Sequence, residues 1–354
     1  MTEGSGVRRS RGRASKSDET VREDAEIGDW AEWSSPGEPV TLARFAAPSA
    51  DTETALAVFA DPHLSTDKEG TWKAYHRTED RLRAAVADAN DRDVDGVVVA
   101  GDLTEDGRPA DFDGAADALA DLDAPFVAVP GNHDVPKSFK SHDTPPVEEF
   151  AERFAPDEFP FRKRFGGVDV LGLNSASAPD GELDATHDGA VSEDQLAWLE
   201  STLPETDAAL VVSHHNLPGL DSCVGEEGYA PHPPVGDAPA FVDALAGHDA
   251  LHLSGHVHLP AAVSGAATSG TANGRDQRGG DVRGLVCPAL SSFPQAYVLA
   301  EVGPAGTTLR LVPVADETGV EEARELAENH SERSADICEM VETQLSDLPL
   351  VDER

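Results

Sequence analysis

Apolar positions along this chain follow two different periods. Leu56-Ala57-Val58-Phe59-Ala60, Val97-Val98-Val99-Ala100 and Phe126-Val127-Ala128-Val129 are short unbroken runs, the pattern of strands buried on both faces. Between them the spacing changes to that of helices, with Leu82, Ala85, Val86 and Ala89 first, then Ala115, Ala118, Leu119 and Leu122. A β-α-β-α-β order of this kind predicts parallel strands joined by right-handed crossovers. Further on, 168–173, 210–212 and 251–253 read as strands and 238–246 as a helix. Ser192 stands where a helix over 192–203 needs its N-cap. Residues 296–302 and 307–314 read as a closing hairpin, and the Gly-, Ser- and Thr-rich stretch 265–284 as a surface excursion.

Three regions follow from this pattern. Residues 1–45 are polar and without periodicity and are expected to be a disordered tail, although Trp30 and Trp33 are suited to docking on the domain. Residues 46–315 form the domain. Residues 316–354 form an acidic helical extension, with Leu326, Ile337, Val341 and Leu345 expected to face inward.

Charge changes the picture most. Sixty-seven acidic residues against 27 Lys plus Arg leave a formal net charge of −40, spread along the chain rather than gathered in blocks. A surface of that kind repels itself in dilute buffer and is relieved as salt shortens the screening length. The composition resembles that of proteins from salt-accumulating archaea, and such a source is expected. The three cysteines, Cys223, Cys287 and Cys338, form no CxxC pair, which argues against a thiolate metal site and for a reducing compartment. No apolar run is long enough to span a bilayer, and Arg8-Arg9 is followed by no apolar segment of an export signal, so a cytoplasmic protein is expected.

Five short polar clusters carry the candidate chemistry. Asp61-Pro62-His63, Gly101-Asp102, Gly131-Asn132-His133-Asp134, Ser213-His214-His215 and Gly255-His256-Val257-His258 each begin where a predicted strand ends. Loops at the carboxyl ends of strands converge on one crevice. Asp, Asn and His supply the oxygen and nitrogen donors that suit Mn, Fe or Zn. Asp61 and His63 sit two apart, as do His256 and His258, and in extended backbone each pair points to one side. The glycines permit tight turns and close backbone approach. Asp102 has two oxygens with which to bridge two ions. The isolated histidines 76, 142, 187, 232, 248, 252 and 330 read as structural. Asp111, Asp113, Asp117 and Asp121 read as a solvated helix face.

In this order, D-x-H, GD, GNHD, H and GHxH resemble the motif set of the calcineurin-like metallophosphoesterases. That resemblance covers residues 61–258 and implies a four-layer α-β-β-α sandwich with its active site at the carboxyl ends of the strands. It implies that Asp61, His63 and His258 hold one divalent ion, that Asn132, His214 and His256 hold the other, and that Asp102 bridges them. The ions would be Mn or Fe, with Zn also suited. A hydroxide between them would attack phosphorus, while His133 protonates the leaving oxygen or stabilises the transition state, oriented by Asp134. Of the adjacent pair, alignment to the motif selects His214 over His215, although Asn216 stands where the motif has proline.

The stretches 101–107 and 129–134, with Gln195, Leu196, Trp198 and Leu199 further on, are most similar to cyclic-nucleotide and glycerophosphodiester phosphodiesterases. The resemblance thus implies a small phosphoester substrate, a diester above all. A phosphomonoesterase or nuclease of the same family is the alternative, and a nucleic-acid partner is disfavoured because no basic groove is visible in so acidic a chain. A silent scaffold with this fold would have lost ligand residues, and here every position is filled.

Overall fold

The computed structural model describes residues 38–220, 234–266 and 281–354. Two six-stranded sheets lie face to face. The first contains β1 (Val40–Phe45), β2 (Thr54–Phe59), β3 (Gly96–Ala100), β4 (Phe126–Val129), β11 (Ala296–Gly303) and β12 (Gly306–Pro313), in the order β1-β12-β11-β2-β3-β4. The second runs β5-β6-β7-β8-β10-β9, from β5 (Phe161–Phe165), β6 (Val168–Gly172), β7 (Ala209–Val212), β8 (Ala250–Ser254), β9 (Ala261–Ala266) and β10 (Asp281–Val286).

Alternation along the strands builds the layers. Leu56 and Val58 of β2, Val98 and Ala100 of β3, and Val298 and Ala300 of β11 point into the core between the sheets, where Leu210, Leu251 and Leu253 meet them. Their neighbours Ala57, Phe59, Val97 and Val99 point outward, under α1 (Thr78–Asp91), α2 (Pro109–Leu119) and α3 (Val147–Phe154). On the far side α4 (Glu193–Thr202) and α5 (Ala238–Leu245) cover the second sheet. The expected four-layer α-β-β-α order is therefore present. β2, β3 and β4 pair in parallel, and Ser192 caps α4 by accepting from the Gln195 N–H.

Three expectations change. The polar tail ends earlier than residue 45, because residues 40–45 form β1, antiparallel to β12. Residues 1–37, with Trp30 and Trp33, lie outside the described residues, as does Cys223. The excursion over 265–284 is flanked by paired strands, β9 antiparallel to β10; the part between them lies outside the described residues. Asp111 is no solvated residue: it is buried and accepts hydrogen bonds from the N–H and hydroxyl of Thr66 at 2.8 and 2.7 Å, fixing the chain just after the first polar cluster.

The acidic extension is part of the body. It forms α6 (Glu317–His330) and α7 (Glu332–Ser346), and Val320, Ala323, Ala327, Ile337, Val341 and Leu345 join the core between the sheets. Leu326 is only half-buried, displaced from the core face by Ala323 and Ala327. A single residue, Ser331, ends α6 and caps α7 through a reciprocal pair with Ser334. The last residues then run beside β1, where Arg44 N–H donates to Val351 and Leu350 N–H to Leu42.

His252 of β8 is structural, as its sequence context indicates. It is buried, with Nε2 2.8 Å from the Ser213 hydroxyl and its ring edge-on to Phe241. Burial pushes its pKa down to about 3, whereas an unfolded imidazole titrates near 6.5. Between those values only the unfolded chain takes up the proton. The contribution of this group is therefore complete above about pH 6.5 and is lost as pH falls towards 3, at up to roughly 1.4 kcal/mol per pH unit. Denaturation of wild type and His252→Gln between pH 7 and 4.5 should give a shallower acid loss in the variant. Parallel curves would show that the ring takes no part in acid unfolding.

Candidate metal centre

All five polar clusters meet at one end of the two sheets. The pairing of β2 with β3 continues past both strands, Asp61 N–H donating to Gly101, His63 N–H to Asp102 and Leu64 N–H to Leu103. The backbone there is not extended. Asp61, His63, Asp102, His256 and His258 all have φ between 46° and 74°, so each i, i+2 pair is aimed by left-handed turns rather than by strand alternation. Left-handed non-glycine residues each cost on the order of 1–3 kcal/mol and gather at functional sites. Gly131 fits because a Cβ there would lie 2.1 Å from an Asp102 oxygen; Gly101, at φ +88°, lies against the His214 ring.

Seven side chains converge. His63 Nε2 lies 3.0 Å from His258 Nε2 and 3.4 Å from Asp102 Oδ2, and His258 Nε2 lies 3.4 Å from Asp61 Oδ1. On the other side His214 Nε2 is 3.2 Å from both Asp102 Oδ2 and Asn132 Oδ1, and 3.3 Å from His256 Nδ1. Asp61, His63 and His258 thus form one compact donor group; Asp102, His214 and His256 form a second. His63, Asp102 and His133 form a third overlapping group.

The outer contacts orient these donors. His63 directs Nδ1 to the Glu105 carboxylate at 3.0 Å, and His214 donates from Nδ1 to the Ala100 carbonyl at 3.0 Å. Each therefore presents the Nε2 lone pair inward, the arrangement that metal-binding imidazoles adopt. His258 Nδ1 meets the Ser292 hydroxyl at 2.8 Å. Asn132 gives its amide N–H to His187 Nδ1 at 2.9 Å, which leaves its carbonyl oxygen facing the centre.

Electrostatics select for positive charge. Burial, with Asp102 nearby, raises Asp61 to about 7. His214 is raised to about 9, because Asp102 and Asp61 outweigh the opposing effect of its burial. Burial also opposes ionisation of Asp102, yet His214 and His133 hold it well below the usual carboxylate range. Crowded oxygen and imidazole donors of this polarity fit divalent cations of the Mn, Fe or Zn type.

Of the adjacent pair just beyond β7, whose rings lie edge-on 5.0 Å apart, only His214 turns a ring nitrogen to the donor groups. The His215 ring packs on that of His256 at 4.5 Å but commits both nitrogens elsewhere, with Nδ1 2.9 Å from the Ser175 hydroxyl and Nε2 donating to the His187 carbonyl at 3.0 Å. Asp134 does not touch His133. It accepts from the N–H groups of Leu103, Thr104 and Gly131, which ties two of the polar loops together. The Glu105 carbonyl orients His133 instead, accepting from Nδ1 at 2.5 Å.

Sequence reasoning missed four neighbours. His187 stacks on His133 with ring centroids 5.6 Å apart. Trp72 packs on His258 at 4.8 Å. Lys73 is buried beside Glu105 at 3.2 Å. Burial works against the Glu105 charge, but Lys73 and His63 hold it far below the usual carboxylate range. Arg333, with Ser331 and Ile337, brings the helical extension to the wall of a cavity of about 260 Å³ that also reaches Asp102, Asn132 and His133.

The chain is similar to proteins of known type. A protein of Synechococcus sp. named probable cyclic nucleotide phosphodiesterase is 28% identical over 207 residues, which cover 57% of this chain and 72% of that one. The 3',5'-cyclic adenosine monophosphate phosphodiesterase of Escherichia coli K12 is 30% identical over 173 residues, 47% of this chain and 54% of the relative, so the match spans about half of that enzyme. A dimetal phosphatase from Danio rerio superposes with a TM-score of 0.56 at 14% identity, over 74% of this chain and 97% of that one, and shares the fold. Residues 54–260, from the start of β2 to just beyond His258, match the calcineurin-like phosphoesterase family, and the chain belongs to it.

Proposed function

We propose that this chain hydrolyses a small phosphodiester, a cyclic nucleotide or a similar compound, with two divalent cations. Asp61, His63 and His258 would hold one cation, and Asn132, His214 and His256 the other, with Asp102 shared. The observation that carries this reading is the inward convergence of these donors in a pocket whose buried carboxylates would repel a phosphate. Two cations, when bound, reverse that sign, neutralise phosphate charge and acidify water. Lys73 and Glu105 hold the His63 ring in place, and the Glu105 carbonyl holds His133. His133, in the cavity wall, would act on the substrate; Arg333 and Ser331 line the same cavity.

The test is a panel at molar salt with Mn(II): bis-p-nitrophenyl phosphate, cyclic AMP, p-nitrophenyl phosphate and single-stranded DNA. The diesters should be turned over fastest, with activity lost to a chelator and restored by the metal. Faster turnover of p-nitrophenyl phosphate would make the enzyme a monoesterase.

We also propose that the protein works in the cytoplasm of a salt-accumulating cell. The −40 charge supports this reading. Its melting temperature should rise from about 0.1 M to molar KCl as self-repulsion is screened. A flat profile would remove the basis for it.

A further inference from the structure

Phe139 stands out among the described residues as the large hydrophobic side chain left exposed, at 51%. A single exposed apolar residue is ordinary on a mobile loop. This one sits on a segment whose neighbouring residues are bonded in several directions. On one side of it Ser138 N–H donates to the Asp184 carbonyl at 2.7 Å, and the buried Lys137 ammonium donates to the carbonyls of Ala176 and Leu183 at 2.9 and 2.6 Å. On the other side Lys140 donates to the carbonyls of His133 and Val135 at 2.7 and 2.9 Å. Two lysines thus commit their charges to fixing the four-residue turn Lys137–Lys140, which offers its apolar ring to solvent.

The ring is placed relative to the reaction site. Phe139 lies 4.8 Å from the His187 ring, and His187 in turn stacks on His133 at 26° between planes. His187 is itself fixed at both ends, by the Asn132 amide on its ring and by His215 on its backbone carbonyl. Three rings therefore form a series leading outward from the cavity in which phosphate would sit. Trp72 offers a further partly exposed aromatic face on the same cavity. Distances of 4.5–7 Å between centroids are those at which aromatic rings attract one another, and ring faces bind nucleobases without regard to sequence.

Resting on the phosphodiesterase reading above, we propose that Phe139 and His187 form a specificity subsite for a flat aromatic arm of the substrate, a nucleobase by its size and chemistry. The chain then prefers diesters with such an arm over those whose arms are aliphatic, such as glycerophosphodiesters. The subsite contributes to binding and leaves the chemical step to the residues of the centre.

The experiment compares wild type, Phe139→Ala and Phe139→Tyr, all loaded with Mn(II) in molar salt. Kinetics use cyclic AMP and glycerophosphoethanolamine; calorimetry uses adenosine 5'-monophosphate and glycerol 3-phosphate, whose binding needs no turnover. Phe139→Ala should raise KM for cyclic AMP and Kd for the adenosine phosphate roughly ten-fold, the lower range of a lost base stack. Its kcat should hold, the glycerol compounds should be unaffected, and Phe139→Tyr should restore binding. Equal losses on both classes would mark a structural residue and overturn the subsite, as would unchanged binding of the adenosine phosphate. Should wild type hydrolyse neither diester, the diesterase reading falls, while the calorimetric contrast alone still upholds or overturns the subsite.

Discussion

Asp102→Asn is expected to lower turnover by roughly 10³-fold or more, with a parallel loss of bound metal. The carboxylate stands between the two donor groups, its Oδ2 within 3.4 Å of His63 Nε2 and 3.2 Å of His214 Nε2. Its Oδ1 accepts the His133 N–H at 2.9 Å, so the same side chain also shapes the loop that carries His133. An amide keeps the shape but removes the negative charge and points a donor at one of the two sides. Lewis-acid stabilisation is worth several kcal/mol, and each 1.36 kcal/mol is a factor of ten in rate. Elemental analysis beside kcat/KM checks the prediction. Two metals retained with near-wild-type activity would mean that Asp102 is not shared.

His133→Asn should cost roughly 10²–10⁴ in turnover of cyclic AMP and leave both metals in place. The ring lies in the cavity wall with Nδ1 committed to the Glu105 carbonyl, so Nε2 alone is available to substrate. Burial first, and the Lys73 charge second, push its pKa down to about 3. The ring is therefore neutral before substrate arrives, and a proton for the leaving oxygen has to come with the negative charge of the bound phosphate. A donor of that kind matters less when the leaving group is already good. The loss should shrink with a p-nitrophenyl ester; equal losses on both substrates would assign it to holding the phosphate. A missing metal would make it a ligand, a role its place in the third donor group allows.

Much of this site was legible because its donors occur as pairs and triplets at strand ends, where one motif names several residues at once. His187, Trp72 and Lys73 were not legible, since each is an isolated side chain brought in by tertiary folding. Strand alternation joins the right i, i+2 pairs for the wrong physical reason: left-handed turns, invisible in composition, aim them. The strands buried on both faces were read correctly, because two apolar sides leave an unbroken run. β1 escaped because it is a short edge strand next to a polar segment. β9 and β10 escaped because AAVSGA and DVRGLV mix small and polar residues and lack the β-branched runs of the central strands. The C-terminal extension was seen as helical but not as a wall of the cavity, since nothing in an acidic amphipathic pattern says which surface it covers.

The first sheet is stitched from opposite ends of the chain. β1 pairs with β12, β2 with β11, and Arg44 bonds Asp352 across 308 positions. A ribosome adding ~5–20 residues per second makes β2 well before its partner β11, a gap on the order of ten seconds or more. During that interval one edge of β2 has no native neighbour, and an open edge is an invitation to another chain. The pairings are also of high contact order, which slows folding once synthesis ends. Asp61 and His63 follow β2 directly, so their loop is framed on both sides only when almost the whole chain has emerged. Synthesis order thereby follows from topology: a chain stopped before β11 keeps an unpaired β2 edge, and such fragments are expected to aggregate.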